Sequence, residues 1–206
     1  MNITHSTLER LAGYALISTG ILATLGFLIH PHQSTGQNHT MWVVGHIFII
    51  LGLLTNMIGV FGLYVSKAKS VGLIGLIGFL IIVISLALYI GKLYWSGFIY
   101  PLVIADHPEF IETHGFGPGS EPQDSIIRII YYSGAISFAI GHFMLGVALL
   151  KARCFSQTPV LFFLIGALLV GLWPLLPSLV QHFSVIVSLI YAIGICWLGI
   201  KLITES

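Results

Sequence analysis

From Val71 to Gly91 the chain carries no charged side chain, and most of the residues there are Ile, Leu, Val, Phe or Gly. A run of about 20 such residues, at a rise of about 1.5 Å each, matches a bilayer hydrocarbon core of about 30 Å. In lipid the backbone N–H and C=O groups have only each other as partners, so such a run folds as a helix. Five more runs of this kind occur in the 206 residues, and spans are expected over 11–29, 41–65, 71–100, 126–150, 160–176 and 183–203. The fold class expected is all-α: a single polytopic membrane domain of six transmembrane helices with both termini cytoplasmic.

Composition supports the same solvent. Only 7% of residues are charged, against about 25% in soluble domains, so a water-exposed surface cannot be assembled. The eight Lys and Arg are scattered and the net charge is +1, which leaves no footprint for nucleic acid. Cys154 falls in an expected cytoplasmic turn and Cys196 inside a span, so no disulfide is expected between them. No CxxC or CxxCH occurs, which argues against a cysteine zinc site and against covalently attached haem. The first apolar run lacks a small-residue cleavage site before the polar loop, and is expected to be a retained span rather than a signal peptide.

Lysine and arginine placement sets the orientation. Arg10, Lys67, Lys69, Lys151, Arg153 and Lys201 all fall on one side of a six-span chain, which predicts that both termini and the turns bearing them are cytoplasmic and that the loops at 30–40 and 102–123 face outward. Ser66-Lys67-Ala68-Lys69-Ser70 is expected to form a tight turn, and Pro101 to interrupt the third span. Asp106-His107-Pro108-Glu109 has the pattern of a helix start. Trp42, Trp95 and Trp173 are expected at the outer interface and Trp197 at the inner one. Gly45, Gly52 and Gly59 recur every seven residues with Asn56 near the same face; Gly72, Gly75 and Gly78, and Gly134 with Gly141, form further stripes. Small residues of this kind let helices approach closely in lipid. Val44-Gly45-His46-Ile47-Phe48 echoes Ile140-Gly141-His142-Phe143-Met144, though out of register with any simple repeat.

Two groups of residues are candidates for chemistry. His142, deep in the fourth span beside small neighbours, is an ionisable group in hydrocarbon and hence a functional candidate. Haem or a quinone headgroup would suit such a place; a neutral histidine bonded to Asn56, Ser137 or a backbone carbonyl is the structural alternative. Pairing His142 with His46 on one haem iron is disfavoured, because their depths differ by roughly 13 Å at the helical rise. Lys92, near the outer end of the third span among Tyr89, Tyr94 and Trp95, reads as a snorkelling anchor or a partner of the acidic loop. With His142, Asn56 and His46 it makes up the candidate ligand-binding set. The second group lies in the outer loops: His30, His32, His39, His107, Glu109, Glu112, His114 and His182 offer imidazole and carboxylate, the donors that bind transition metals. No HExxH, P-loop, GxSxG or dinucleotide fingerprint is present.

Leu28-Ile29-His30-Pro31, Trp42 with His46, Gly62-Leu63-Tyr64 and Tyr100-Pro101 together resemble landmarks of small bacterial six-span membrane proteins of unknown function, the DUF4386-like group. That resemblance implies a bacterial cytoplasmic-membrane protein and carries over no catalytic residue. The leading expectation is a non-catalytic binding, small-solute-handling or accessory subunit with an outward His/carboxylate mouth. Its partners would be the lipid bilayer and other membrane subunits or further copies of itself. The alternative is a redox or metal-dependent membrane enzyme using haem, quinone or a transition metal.

Overall fold

A computed structural model describes residues 4–30, 39–107, 125–175 and 183–205. Among these residues the chain is helical throughout, without strands. Helix α1 spans His5–Ile29, and the Thr4 hydroxyl caps it by accepting from the Thr7 backbone N–H at 3.2 Å, which satisfies one of the orphan donors of the first turn. Helix α2 spans His39–Tyr94 and is followed by a π-turn, Trp95–Ile99, and by α3, Tyr100–Asp106. Helices α4 (Ser125–Lys151), α5 (Gln157–Leu172, ending in a 3-10 turn, Trp173–Leu175) and α6 (Ser184–Thr204) complete the set.

Among the described residues, four helical stretches are long and apolar enough to cross a membrane: His5–Ile29, Thr40–Val103, Ile129–Lys151 and Ser184–Thr204. The second is far too long for one crossing, and it doubles back. Gly72 has φ 58° and ψ −154°, a conformation essentially reserved for glycine. Past it the chain returns along itself: Tyr64 stacks on Phe79 at 4.7 Å, and the Trp42 indole N–H donates to the Ser96 carbonyl at 2.9 Å. α2 is therefore two antiparallel arms, 39–71 and 73–94.

Two local expectations are corrected. Residues 66–70 stay helical, and the reversal falls at Gly72, because only a residue without Cβ takes that backbone conformation freely. Pro101 does not end its helix. The π-turn ahead of it, closed by the Tyr100 N–H donating to the Trp95 carbonyl, widens the backbone where proline lacks an N–H and would crowd the carbonyl four residues back. α3 ends at Asp106, where His107 leaves helical geometry at φ −134°, ψ 71°, as a residue preceding proline is driven to do; the helix start expected there continues into Pro108 and Glu109, outside the described residues.

The helices close into a ring in chain order: α1 packs on α2, the second arm of α2 on α4, α4 on α5, α5 on α6, and α6 back on α1. Glycines make the seams. A methyl at Gly52 would lie 3.0 Å from the Ala23 nitrogen, one at Gly141 2.8 Å from the Ile82 nitrogen, and one at Gly171 2.7 Å from the Ala139 nitrogen. The glycine stripe of α2 thus faces α1. Leu16, Val60, Leu63, Ile82, Leu86, Leu145, Leu149, Ile195, Leu198 and Leu202 fill the interior, while Leu73, Ile84, Ile58 and Phe143 stand on the outside. Apolar side chains both inside and out are what lipid as solvent permits.

One end of the ring gathers charge. The Lys67 ammonium pairs with the buried Glu9 carboxylate at 2.9 Å and lies 5.6 Å from the centre of the Phe155 ring, while Gly13 abuts Gly199. Both ends of the described chain and the α4–α5 turn therefore meet at the same end of the bundle.

Candidate functional site

The centre of the ring holds a chain of polar side chains from three helices. His142 on α4 is fully buried, and its Nδ1 lies 2.8 Å from the Phe138 carbonyl four residues back. A carbonyl only accepts, so Nδ1 carries the hydrogen and Nε2 of the neutral ring is an acceptor. The Tyr191 hydroxyl of α6 donates to that Nε2 at 3.1 Å, and the Asn56 Nδ2 of α2 donates to the Tyr191 oxygen at 3.0 Å. The direction of every bond follows from the carbonyl at the end. Asn56 is 0% exposed, yet its Oδ1 has no hydrogen-bond partner among the described residues. Reversing the amide would set its oxygen against the Tyr191 oxygen, whose one hydrogen already goes to His142, so the nitrogen faces Tyr191. One strong polar atom, Asn56 Oδ1, is thus left bare in the core, where nearly all such atoms are paired.

The surroundings of His142 do not fit a haem. Nε2, the atom a metal would take, already accepts from Tyr191. Phe138, Phe163 and Tyr191 stand 4.0, 5.4 and 5.7 Å from the imidazole centroid and occupy the space around it.

A second polar group lies toward the opposite end from Lys67. His46 Nδ1 donates to the Trp42 carbonyl at 2.9 Å, and Nε2 lies 2.9 Å from the Ser96 hydroxyl of the π-turn. His30, Trp42 and His46 form a triangle of rings with centroids 4.4–4.8 Å apart. Trp42 is therefore turned into the bundle. The two Gly-His pairs of the sequence echo share a local design: each imidazole bonds the carbonyl four residues back and meets a hydroxyl from another segment. The glycine before each packs closely, Gly45 on His30 and Gly141 on Ile82.

Of the sequence candidates, Asn56 and His142 are brought together, through Tyr191. His46 and His30 meet each other but share no contact with that chain. Lys92 stands 4.6 Å over the Tyr131 ring. His107 is exposed at the end of α3, and His39 is the first residue of α2. His32, Glu109, Glu112, His114 and His182 lie outside the described residues. Among the described residues, no three His, Cys, Asp or Glu side chains come together in a metal-ligating group. Tyr191 and Ser96 were not singled out by the sequence. Their signal was a hydroxyl placed within an apolar run, which tyrosines and serines supply at many positions. Glu9, a carboxylate at the very start of a span, carried a stronger signal.

No family model matches the chain, and comparison with curated proteins and with solved structures returns no match. What the helices define is a class: an integral membrane protein, all-helical among its described residues.

Proposed function

We propose that this is a non-catalytic six-span protein of the cytoplasmic membrane that binds or handles a small polar solute, alone or as a subunit of a larger assembly. The observation that carries the reading is the bare Oδ1 of Asn56 in the middle of the ring, on an amide joined through Tyr191 to His142. Buried polar groups inside a membrane bundle are costly and mark ligand pathways, and transporter sites of this kind sit near mid-membrane at helix interfaces. Gathering Arg10, Lys67, Lys69, Lys151, Arg153 and Lys201 at one end supports a cytoplasmic placement of that end and of both termini. The end bearing His30 and His46 then faces outward, where the histidines and acids of the outer loops would form a mouth. The likeness to small bacterial six-span proteins belongs to the same proposal.

Osmotic stopped-flow on proteoliposomes tests it, with urea and glycerol as probes. Wild-type protein should pass or retain at least one of them beyond empty liposomes, and Asn56→Leu should return to the empty-liposome value. Identical traces for wild type, variant and empty liposomes would reject the reading, as would a Soret band or stoichiometric metal in the purified protein.

A further inference from the structure

The second arm of α2 and helix α4 pack tightly where a methyl at Gly78 would lie 2.7 Å from the Leu145 nitrogen. Toward Lys92 they diverge: at Gly134 a methyl would meet only the Leu88 Cβ, at 3.4 Å. The gap is a shallow, open groove with no enclosed volume, lined by Leu88, Tyr89, Lys92, Ile130, Tyr131 and Gly134. Ile130 is exposed, so the groove opens on the outer surface of the ring, the surface that faces lipid. Its walls are hydrocarbon and aromatic, and its one charge is the Lys92 ammonium. That ammonium lies against the Tyr131 ring and has no carboxylate partner among the described residues. A ring face attracts a cation but does not neutralise it.

We propose that this groove binds an anionic phospholipid, with an acyl chain along Leu88, Ile130 and Gly134 and the phosphate on Lys92. Charge complementarity sets the head group, and the apolar wedge sets the tail. A zwitterionic lipid supplies the same tail with a head group that already carries its own cation. The inference concerns the lipid-facing surface and does not rest on the central polar chain.

Native mass spectrometry of the detergent-purified protein, titrated with phosphatidylglycerol or phosphatidylcholine of identical chains, tests it. Wild type should retain phosphatidylglycerol about fivefold more strongly, the value of one lysine against an anionic head group. Lys92→Gln should erase that preference and Lys92→Arg should keep it. Leu88→Trp, which fills the groove while sparing the charge, should lower retention of both lipids. Equal retention of the two lipids by wild type, an undiminished preference in Lys92→Gln, or unchanged retention in Leu88→Trp would each overturn the proposal. Competition by inorganic phosphate alone, at concentrations matching the lipid, would also overturn it, since the site would then take a soluble anion.

Discussion

At the scale of single residues, the central chain has a directional logic that substitution can read. Tyr191→Phe removes two hydrogen bonds at once and leaves His142 Nε2 and the Asn56 amide bare, in surroundings that hold no replacement. It should cost about 1–3 kcal/mol of stability, the range for stranding buried polar groups. Asn56→Leu gives up one bond but removes the orphan atom with it, so its thermal midpoint in detergent should stay near wild type or rise. A variant that gains stability while losing solute handling is the signature of a polar group kept for function. Arg153 shows a different kind of stored cost. It follows α4 at φ 51°, where the Cys154 N–H donates to the Leu149 carbonyl and the Arg153 N–H to the Leu150 carbonyl. This is the paired-bond helix stop that usually places glycine at the left-handed position. Arg153→Gly should stabilise the fold by about 1 kcal/mol, read as a higher unfolding midpoint.

At the scale of elements, two glycines with equally open surroundings should respond oppositely to the same change. A methyl meets nothing within 4 Å at either Gly72 or Gly91. Gly91 is helical, so Gly91→Ala should be neutral or stabilising by up to about 1 kcal/mol. Gly72 is the reversal of α2 at positive φ, so Gly72→Ala should cost about 1–3 kcal/mol although no clash occurs. Equal midpoints for the two variants would place the reversal elsewhere. α5 raises a separate point. Its 16 residues extend about 24 Å, short of a hydrocarbon core of about 30 Å. The 3-10 turn at Trp173–Leu175 lengthens the segment, and tight seams at Gly166 on Tyr191 and Gly171 on Ala139 hold it inside the ring.

At the scale of the whole molecule, the ring is closed by α1 meeting α6, and its charged end is knit across elements by Lys67. Cys154 lies there, half-buried in the α4–α5 turn. Burial pushes its thiol above the ordinary range, and the nearby Lys67 charge and a Ser70 hydrogen bond only partly offset this. Thiolate is the nucleophile, so maleimide labelling in a Cys196→Ala background should be slow at neutral pH. It should accelerate about tenfold for each pH unit while the pH stays below the thiol's pKa. With the charged end cytoplasmic, a membrane-impermeant maleimide should label Cys154 in inverted vesicles and not in intact cells. Labelling in intact cells would reverse the orientation.

Much of this architecture was written in the run from Val71 to Gly91 and its counterparts. Long uncharged stretches require helices because lipid offers the backbone no partner, and the glycine spacing announced close seams. The sequence also pointed to His142 and Asn56 separately, each as a polar group in hydrocarbon. It did not show where α2 reverses, because lysines at 67 and 69 look like a turn while one backbone angle at Gly72 makes it. Nor did it show that Tyr191 joins Asn56 to His142 or that Trp42 turns inward. Those depend on which faces of α2, α4 and α6 meet across the ring, a question of side-chain packing between segments distant in the chain. Solvent preference is a property of each residue and accumulates locally, so the sequence alone determined a helical membrane protein. Partnership among buried polar groups belongs to pairs, and only the closed ring decided it.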